Sequence, residues 1–504
     1  MRFLLPLLFI CSALLCLLPG CEPKEDLLIT DASAKLEFSR DTVLFDTVFA
    51  QVGTVSKRLW VYNRNSRAVK VDQIRLADTN PGTYSLIING DERQAASGIE
   101  IRGKDSLLIL VKARLGAGNI NTPFLVAEQL LFTTNGNEQD VKLVAYGQNA
   151  YFHGPEERIS RNTTWPKNRP HVIYGVVVVD AGVTLRIQPG TRIYSHAGAA
   201  LLVRGTLLIN ENTSPATELA PTDTATFVRF QGDRLEPFYS DIPGQWAGIQ
   251  FDASSRNNVL NFTEIKNAAF GLVIANVRNQ LPRPSVTVRN SVFRNISGAN
   301  LAFSGNGSGG GVIGLSGDFD LTNCLFTNCG EYAVRGIGGG SFNLNHCTVA
   351  NYTPGFRRET ASLHFTTEPA SDEPLSNPIS TSIRIRNSIV WGSIPDELFF
   401  DNSDLYRGSI DIRNSLLRTR EYASAADAPG KPGLGNAALS NIINENPKFK
   451  SAPDNSAGRY DYRLDTLSPA SNKAVYNPLV PRDLLFKVRN TATPDLGAYE
   501  RVNP

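Results

Sequence analysis

The chain has 504 residues, several times the length of an ordinary domain, so at least two domains are expected. Fifty basic residues against 48 acidic ones leave a net charge of only +2, which excludes the electrostatic footprint of a nucleic-acid-binding protein. A hydrophobic content of 41% suffices for a large core, while 41 Gly and 29 Pro call for many turns rather than many helices.

Residues 1–20 read as a signal peptide: Arg2 supplies a short positive start, Phe3 to Leu18 is almost unbroken apolar sequence, and Gly20 precedes Cys21. The run is short for a membrane span, which needs about 20 apolar residues. Leu18-Pro19-Gly20-Cys21 resembles the bacterial lipobox, in which the cysteine thiol is lipidated before cleavage; Pro19 departs from the usual small or β-branched residue. The resemblance implies lipidation at Cys21 and no cytoplasmic life. An ordinary secretory signal with Cys21 free or disulfide-bonded would place the chain outside the cytoplasm as well. Within the polar tether 21–34, Glu22-Pro23-Lys24-Glu25-Asp26 resembles the tether by which Bacteroidetes lipoproteins reach the outer face of the outer membrane. It implies a lipid-anchored outer-membrane protein facing the cell exterior, with periplasmic retention as the alternative.

Residues 35–150 carry short alternating runs, Lys35-Leu36-Glu37-Phe38, Thr42-Val43-Leu44-Phe45, Lys57 to Tyr62 and Ser106 to Val111, with turns at Asn63-Arg64-Asn65-Ser66 and Thr79-Asn80-Pro81-Gly82. This pattern predicts a β-sandwich. The stretch from Phe45 to Asn63 resembles the immunoglobulin-like domain that precedes β-helices in Bacteroidetes surface lipoproteins, which implies a spacer or docking role.

From about Val172 the pattern changes to brief strands closed by Gly or Pro-Gly turns, as in Gly182 to Thr191 and Leu201 to Leu207. Few amphipathic stretches are long enough for crossover helices, so an open α/β sheet is disfavoured. Five segments share one plan, starting at Val286, Phe319, Phe342, Ile383 and Ile410: apolar, polar, apolar, polar, Asn or His, Ser or Cys, then two mostly apolar residues. Alternation points the first and third residues inward. The fifth column, Asn290, Asn323, His346, Asn387 and Asn414, falls where a bend needs left-handed backbone, and its amides are expected to pair from coil to coil as a ladder. The smallest spacing, 23 residues, is one coil; larger spacings imply inserted loops or a skipped coil. Phe303 to Gly317 and Tyr352 to Ile379 are the long loop candidates, and the glycine runs 309–311 and 338–340 read as loops.

The stretch from Val176 to Gly205, Pro243 to Ile249, these repeats, Leu467-Ser468-Pro469-Ala470 and Asp495-Leu496-Gly497-Ala498-Tyr499-Glu500 together resemble the parallel β-helix repeat lipoproteins of Bacteroidetes. The resemblance spans roughly 35–500 and implies an all-β chain: a right-handed parallel β-helix, a pectate-lyase-like solenoid, over 151–430, closed by further coils and a cap over 431–504 and preceded by the sandwich. Asn472-Lys473-Ala474 departs from the turn usual in that family.

Of the cysteines beyond the signal peptide, Cys324 and Cys347 share one repeat column and lie within disulfide reach if their coils are adjacent. No Cys-x-x-Cys pair suggests zinc, and no metal site or cofactor is expected; Ca²⁺ would enter only with lyase chemistry. The outward arginines Arg289, Arg386 and Arg413 suit bidentate contact with a glycan carboxylate, and Trp391 could stack on a sugar ring, although packing explains it as well. Asp411 beside Arg384 reads as a solvated ion pair, and Asp318, Asp320, Asp396, Glu397, Asp401 and Asp404 read as turn chemistry rather than a hydrolase pair. No nucleotide, esterase or metalloprotease motif is present. The balance favours a non-catalytic surface protein that binds glycan or adheres through its helix, the alternative being a polysaccharide lyase or glycoside hydrolase acting on an acidic glycan.

Overall fold

The computed structural model describes residues 28–297, 309–456, 458 and 460–501. The signal peptide, Cys21 and the start of the tether lie outside them. Among the described residues no helix is long and apolar enough to cross a membrane. The chain forms two compact all-β units that divide between Asn149 and Ala150.

The first unit is a sandwich of two sheets. One takes the strands in the order Leu28–Ile29, Ala68–Leu76, Phe124–Thr134, Asn137–Gln148 and Thr42–Phe49, with Ala95–Ile101 also paired to Ala68–Leu76. The other runs Glu37–Phe38, Lys57–Tyr62, Ser106–Ala113, Tyr84–Ile88 and Asp91–Arg93. Alternation decides which side chains face in. In Ser106–Ala113, Leu107, Ile109, Val111 and Ala113 are buried, and they meet Phe45, Phe132 and Leu143 in one core. The longest hairpin turns on Asn135-Gly136, both at positive φ, the pair that a two-residue turn between twisted strands favours. That signal was legible in Thr133-Thr134-Asn135-Gly136 and marks two strands that composition alone passes over.

The second unit is a right-handed parallel β-helix, the sense a right-twisted strand gives to parallel crossovers. Three parallel sheets of eleven, nine and nine strands are visited in rotation. The five repeated segments lie on five successive coils of one nine-stranded sheet: Val286 pairs in register with Phe319, Phe319 with Phe342, Phe342 with Ile383, and Ile383 with Ile410. No coil is skipped, so every spacing above 23 is an insertion. The expectation of Tyr352 to Ile379 as one loop is corrected, because Leu363–Thr366 inside it is a strand paired with Tyr332–Ile337.

The glycine run at 309–311 is corrected too. Gly310–Leu315 is a wholly buried strand, and a Cβ on Gly311 would stand 2.7 Å from the Ala333 carbonyl and 3.0 Å from the Phe326 ring. Glycine is there for close coil packing rather than for a loop. Inside the helix, Val288, Leu321, Leu344, Ile385 and Ile412 stack as one buried column, and the Phe293 and Phe326 rings lie 4.8 Å apart and nearly parallel. Beyond the coils, Phe449–Ser451 pairs antiparallel with Asp461–Leu464, after which no strand forms among the described residues.

Candidate functional site

The bend between the repeat sheet and the eleven-stranded sheet is where the chain's closing segment docks. Asn290, Asn323, His346, Asn387 and Asn414 all hold positive φ, between 49° and 53°, a conformation asparagine accepts at little cost. The expected amide-to-amide ladder is corrected at this bend. The Asn290 amide donates to the Asp483 carbonyl at 2.6 Å, Asn323 to Arg482 at 2.7 Å and Asn387 to Val475 at 3.0 Å, while Val475 N–H returns a bond to Asn387 Oδ1 at 2.9 Å. The physical reason is that the strandless closing segment cannot satisfy its own backbone, and the asparagine column offers donors at coil spacing. Only Asn387 also reaches along the column, to His346 Nε2 at 3.2 Å. A coil-to-coil amide pair forms instead one corner further on, where Asn328 donates to Asn295 Oδ1 at 2.7 Å; the signal was a second asparagine five residues after the first in both repeats.

The terminal motif tightens this clasp. The buried Arg489 guanidinium donates to Asn323 Oδ1 at 2.9 Å and to the Gly497 carbonyl at 3.0 Å, and its ion pair with Glu500 spans 3.4 Å. Asp483 accepts from Leu485, Lys487 and Glu500 backbone amides, and Ala498 N–H donates to Thr348 Oγ1 at 2.9 Å. The charge of Arg489 and burial together press the His346 imidazole well below its ordinary value, burial being the larger cause. His346 is therefore a neutral structural residue.

Between the clasp and the outward face of the repeat sheet lies a groove of about 940 Å³. Its floor carries Arg289, Asp320, Thr322, Asn343, Asn345, Arg384 and Arg386; Tyr476 and Arg482 stand on the clasp side. In-register stacking places Arg289, Thr322, Asn345 and Arg386 in one outward column, so Arg289 and Arg386 are three coils, roughly 14 Å, apart. Arg289 forms no ion pair among the described residues. At the groove's far end Asp411 gathers three arginines: Arg386 and Arg413 bond its carboxylate, Arg413 at 2.7 Å, while Arg384 stands 3.9 Å away. Burial works to raise the Asp411 carboxyl, yet its hydrogen bonds from Arg386 and Arg413 hold it below the usual carboxylate value. Arg413 thus serves Asp411 and does not line the groove.

Two further expectations are corrected. Trp391 presents no ring to a groove: it is 6% exposed, packed with Tyr352, Phe449 and Ala470, and lies beneath the Arg418 guanidinium, 4.8 Å from its centroid. Alternation sends Val390 into the helix interior and Ile389 and Trp391 to the opposite face, which the closing segment covers with Phe449, Tyr462 and Ala470. Cys324 and Cys347 are free buried thiols rather than a disulfide; Cys347 Sγ donates to the Leu321 carbonyl at 3.3 Å and Cys324 Sγ to the Thr322 carbonyl at 3.4 Å, so each is satisfied by backbone.

Two other concavities lie on this unit. One, of about 650 Å³, is walled by Tyr332, His364 and Phe399, whose rings follow one another at 5.4 and 5.1 Å; burial pushes His364 down to about 4. The other, of about 690 Å³, lies on the outward face of the eleven-stranded sheet. Among the described residues no group of three or more His, Cys, Asp or Glu is placed to hold a metal ion.

The fold and groove define an all-β protein with a parallel β-helix and a polar, arginine-bearing face. No protein-family model matches the chain, and no curated protein matches it. Among solved structures it is similar to a PapD-like domain of human CEP192, at 12% identity over 23% of this chain and 85% of that chain with a TM-score of 0.16. It is also similar to a family 123 glycoside hydrolase from Clostridium perfringens, at 8% identity over 22% of this chain and 25% of that chain with a TM-score of 0.17. Likenesses this faint carry no argument, and the architecture rests on the strand register.

Proposed function

We propose that this protein is a lipid-anchored outer-membrane protein that binds an extended acidic glycan in the clasped groove without cleaving it. The observation that carries the reading is the groove's donor set. Arg289, Arg384, Arg386 and Arg482 face Asp320 as the single carboxylate of the lining, and guanidinium forks match carboxylate geometry. Asn343, Asn345 and Thr322 add neutral partners suited to sugar hydroxyls. A glycosidase needs two carboxylates flanking the scissile bond, and the lining offers one. No lysine or histidine lines the groove among the described residues, which leaves Asp320 and Tyr476 as candidates for proton abstraction in a lyase.

The anchor and the exterior-facing tether rest on Leu18 to Cys21 and on Lys24-Glu25-Asp26, and the kinship with Bacteroidetes β-helix repeat lipoproteins rests on the repeats and closing motif. The test is a panel of uronate-rich and neutral glycans, with binding read by calorimetry and cleavage by unsaturated-product absorbance. Acidic glycans should bind, with affinity falling at least tenfold in Arg289→Ala and Arg386→Ala and declining as salt is raised. Absence of binding to any acidic glycan overturns the reading, and accumulating product replaces it with the lyase alternative.

A further inference from the structure

On the outward face of the eleven-stranded sheet, parallel register sets like charges directly against each other. Arg192 is opposite Arg229, and Lys266 is opposite Arg294. Neighbours across a ladder stand about 4.8 Å apart, where like charges oppose folding unless something compensates them. One buried carboxylate does part of this. Glu264, whose side chain is 10% exposed, meets Arg229 Nε at 2.6 Å and Arg294 Nε at 2.7 Å. Burial would raise its carboxyl, but Arg294 and Arg229 hold it ionised below the ordinary value. Its single charge serves two arginines, while Arg192 forms no ion pair among the described residues.

These side chains open onto a cleft of about 690 Å³ rather than onto flat surface. Four arginines, Arg192, Arg229, Arg294 and Arg463, line it against two carboxylates, Glu264 and Asp461, an excess of two positive charges. Arg463 and Asp461 satisfy each other at 2.6 Å, so the excess sits on the Arg192, Arg229 and Arg294 side. Tyr460, Tyr462 and Tyr499 add phenols to the lining, and Thr222 and Thr224 add hydroxyls.

We propose that this cleft is a second binding site, separate from the glycan groove, that receives a tetrahedral dianion: free sulfate, or a phosphate group, free or as a monoester on a larger molecule. Two charges match the excess, guanidinium forks and hydroxyls supply the donors, and the anion relieves the Arg192–Arg229 stack. A singly charged carboxylate leaves half the excess uncompensated.

The experiment titrates the purified protein with inorganic sulfate, inorganic phosphate and glucuronate at low ionic strength, reading heat and the melting temperature. Sulfate and phosphate should bind and raise Tm, with glucuronate at least tenfold weaker. Arg192→Gln and Arg294→Gln should each weaken the dianions at least tenfold, while Arg386→Gln in the groove leaves them unchanged. Arg192→Gln should fold with an unaltered or higher ligand-free Tm, since it removes repulsion; Arg192→Lys keeps the charge and should retain most of the binding. Failure of both dianions to bind, binding unaffected by either glutamine variant, or glucuronate binding as tightly as sulfate would each overturn the proposal. Because Arg386 lies outside the cleft, loss of glycan binding in the groove leaves this outcome untouched.

Discussion

Two faces of one solenoid treat their outward residues in opposite ways. Along the asparagine bend the chain enlists its own outward side chains: Asn290, Asn323 and Asn387 hold the closing segment's carbonyls, and Asp411 next to it draws in Arg386 and Arg413. On the eleven-stranded sheet, Arg192 and Arg229 are stacked and Glu264 is divided between two partners. The inward residues of both faces obey the same alternation, so the coil itself does not distinguish them. What separates a structural face from a receptive one is whether the outward polar groups find partners within the chain. Cutting a side chain that a partner fully engages should cost stability, and cutting one that carries surplus charge should cost binding.

The sharpest test of the structural face is Arg489, wholly buried between the ladder and Glu500. Removing one partner of a buried ionic network commonly costs about 3 to 5 kcal/mol. Arg489→Ala should destabilise the helix unit by that order in a denaturant titration, and a loss under about 1 kcal/mol would show that the clasp is not integral. Next is Gly497, which sits at φ 86° with the position of a Cβ only 2.4 Å from Thr348 Oγ1. Gly497→Ala combines backbone strain with displacement of the acceptor for Ala498 N–H, for a loss of about 2 kcal/mol. An unchanged melting curve would mean that the segment docks elsewhere.

How far the residues alone reach follows from what each signal encodes. The repeat plan is local, five to eight residues long, and it was enough to place five coils in register, because inward apolar stacking is dictated by side-chain alternation. The partners of the asparagines were not legible, because they come from residues some 90 to 190 positions away, such as Val475 and Asp483, in a segment without periodicity. The arginine columns were legible as outward residues but not as a groove, since its second wall is the clasp. Trp391 was ambiguous for a different reason: an aromatic at the end of an apolar run fits core or surface equally, and only burial against Tyr352 and Phe449 decides. The cleft on the eleven-stranded sheet left no local trace, because Arg192, Arg229 and Arg294 are brought together only by stacking.

Proton linkage offers a finer cut between the faces. Burial pushes His171 down to about 3 and His364 to about 4, and it presses His346 well below the ordinary 6.5. The unfolded chain takes up protons below about pH 6.5 that these folded imidazoles refuse. Stability present above that value is therefore lost as pH falls toward the lowered folded values, by up to about 1.4 kcal/mol per pH unit for each group. His346→Asn places at the bend the residue used by its neighbours, keeps access to positive φ, and removes one of the three slopes. Unfolding free energies at pH 7 and pH 5 should differ by about 1 kcal/mol or more less in the variant than in the parent; an identical difference would show that His346 is protonated in the fold.

The smallest effect concerns Asp411, whose carboxylate is partly solvated while it occupies Arg386 and Arg413. Exposed ion pairs contribute little, so Asp411→Asn should change stability by less than about 1 kcal/mol. Binding should move the other way, because the substitution keeps the side chain's shape and frees the Arg386 fork at the groove's end for a glycan carboxylate. Affinity for an acidic glycan should rise several-fold, with a steeper dependence on salt, while affinity for a neutral glycan stays constant. If Asp411 instead orients Arg386 for its ligand, the same variant weakens acidic-glycan binding, and the pair belongs to the binding face rather than to the structural one.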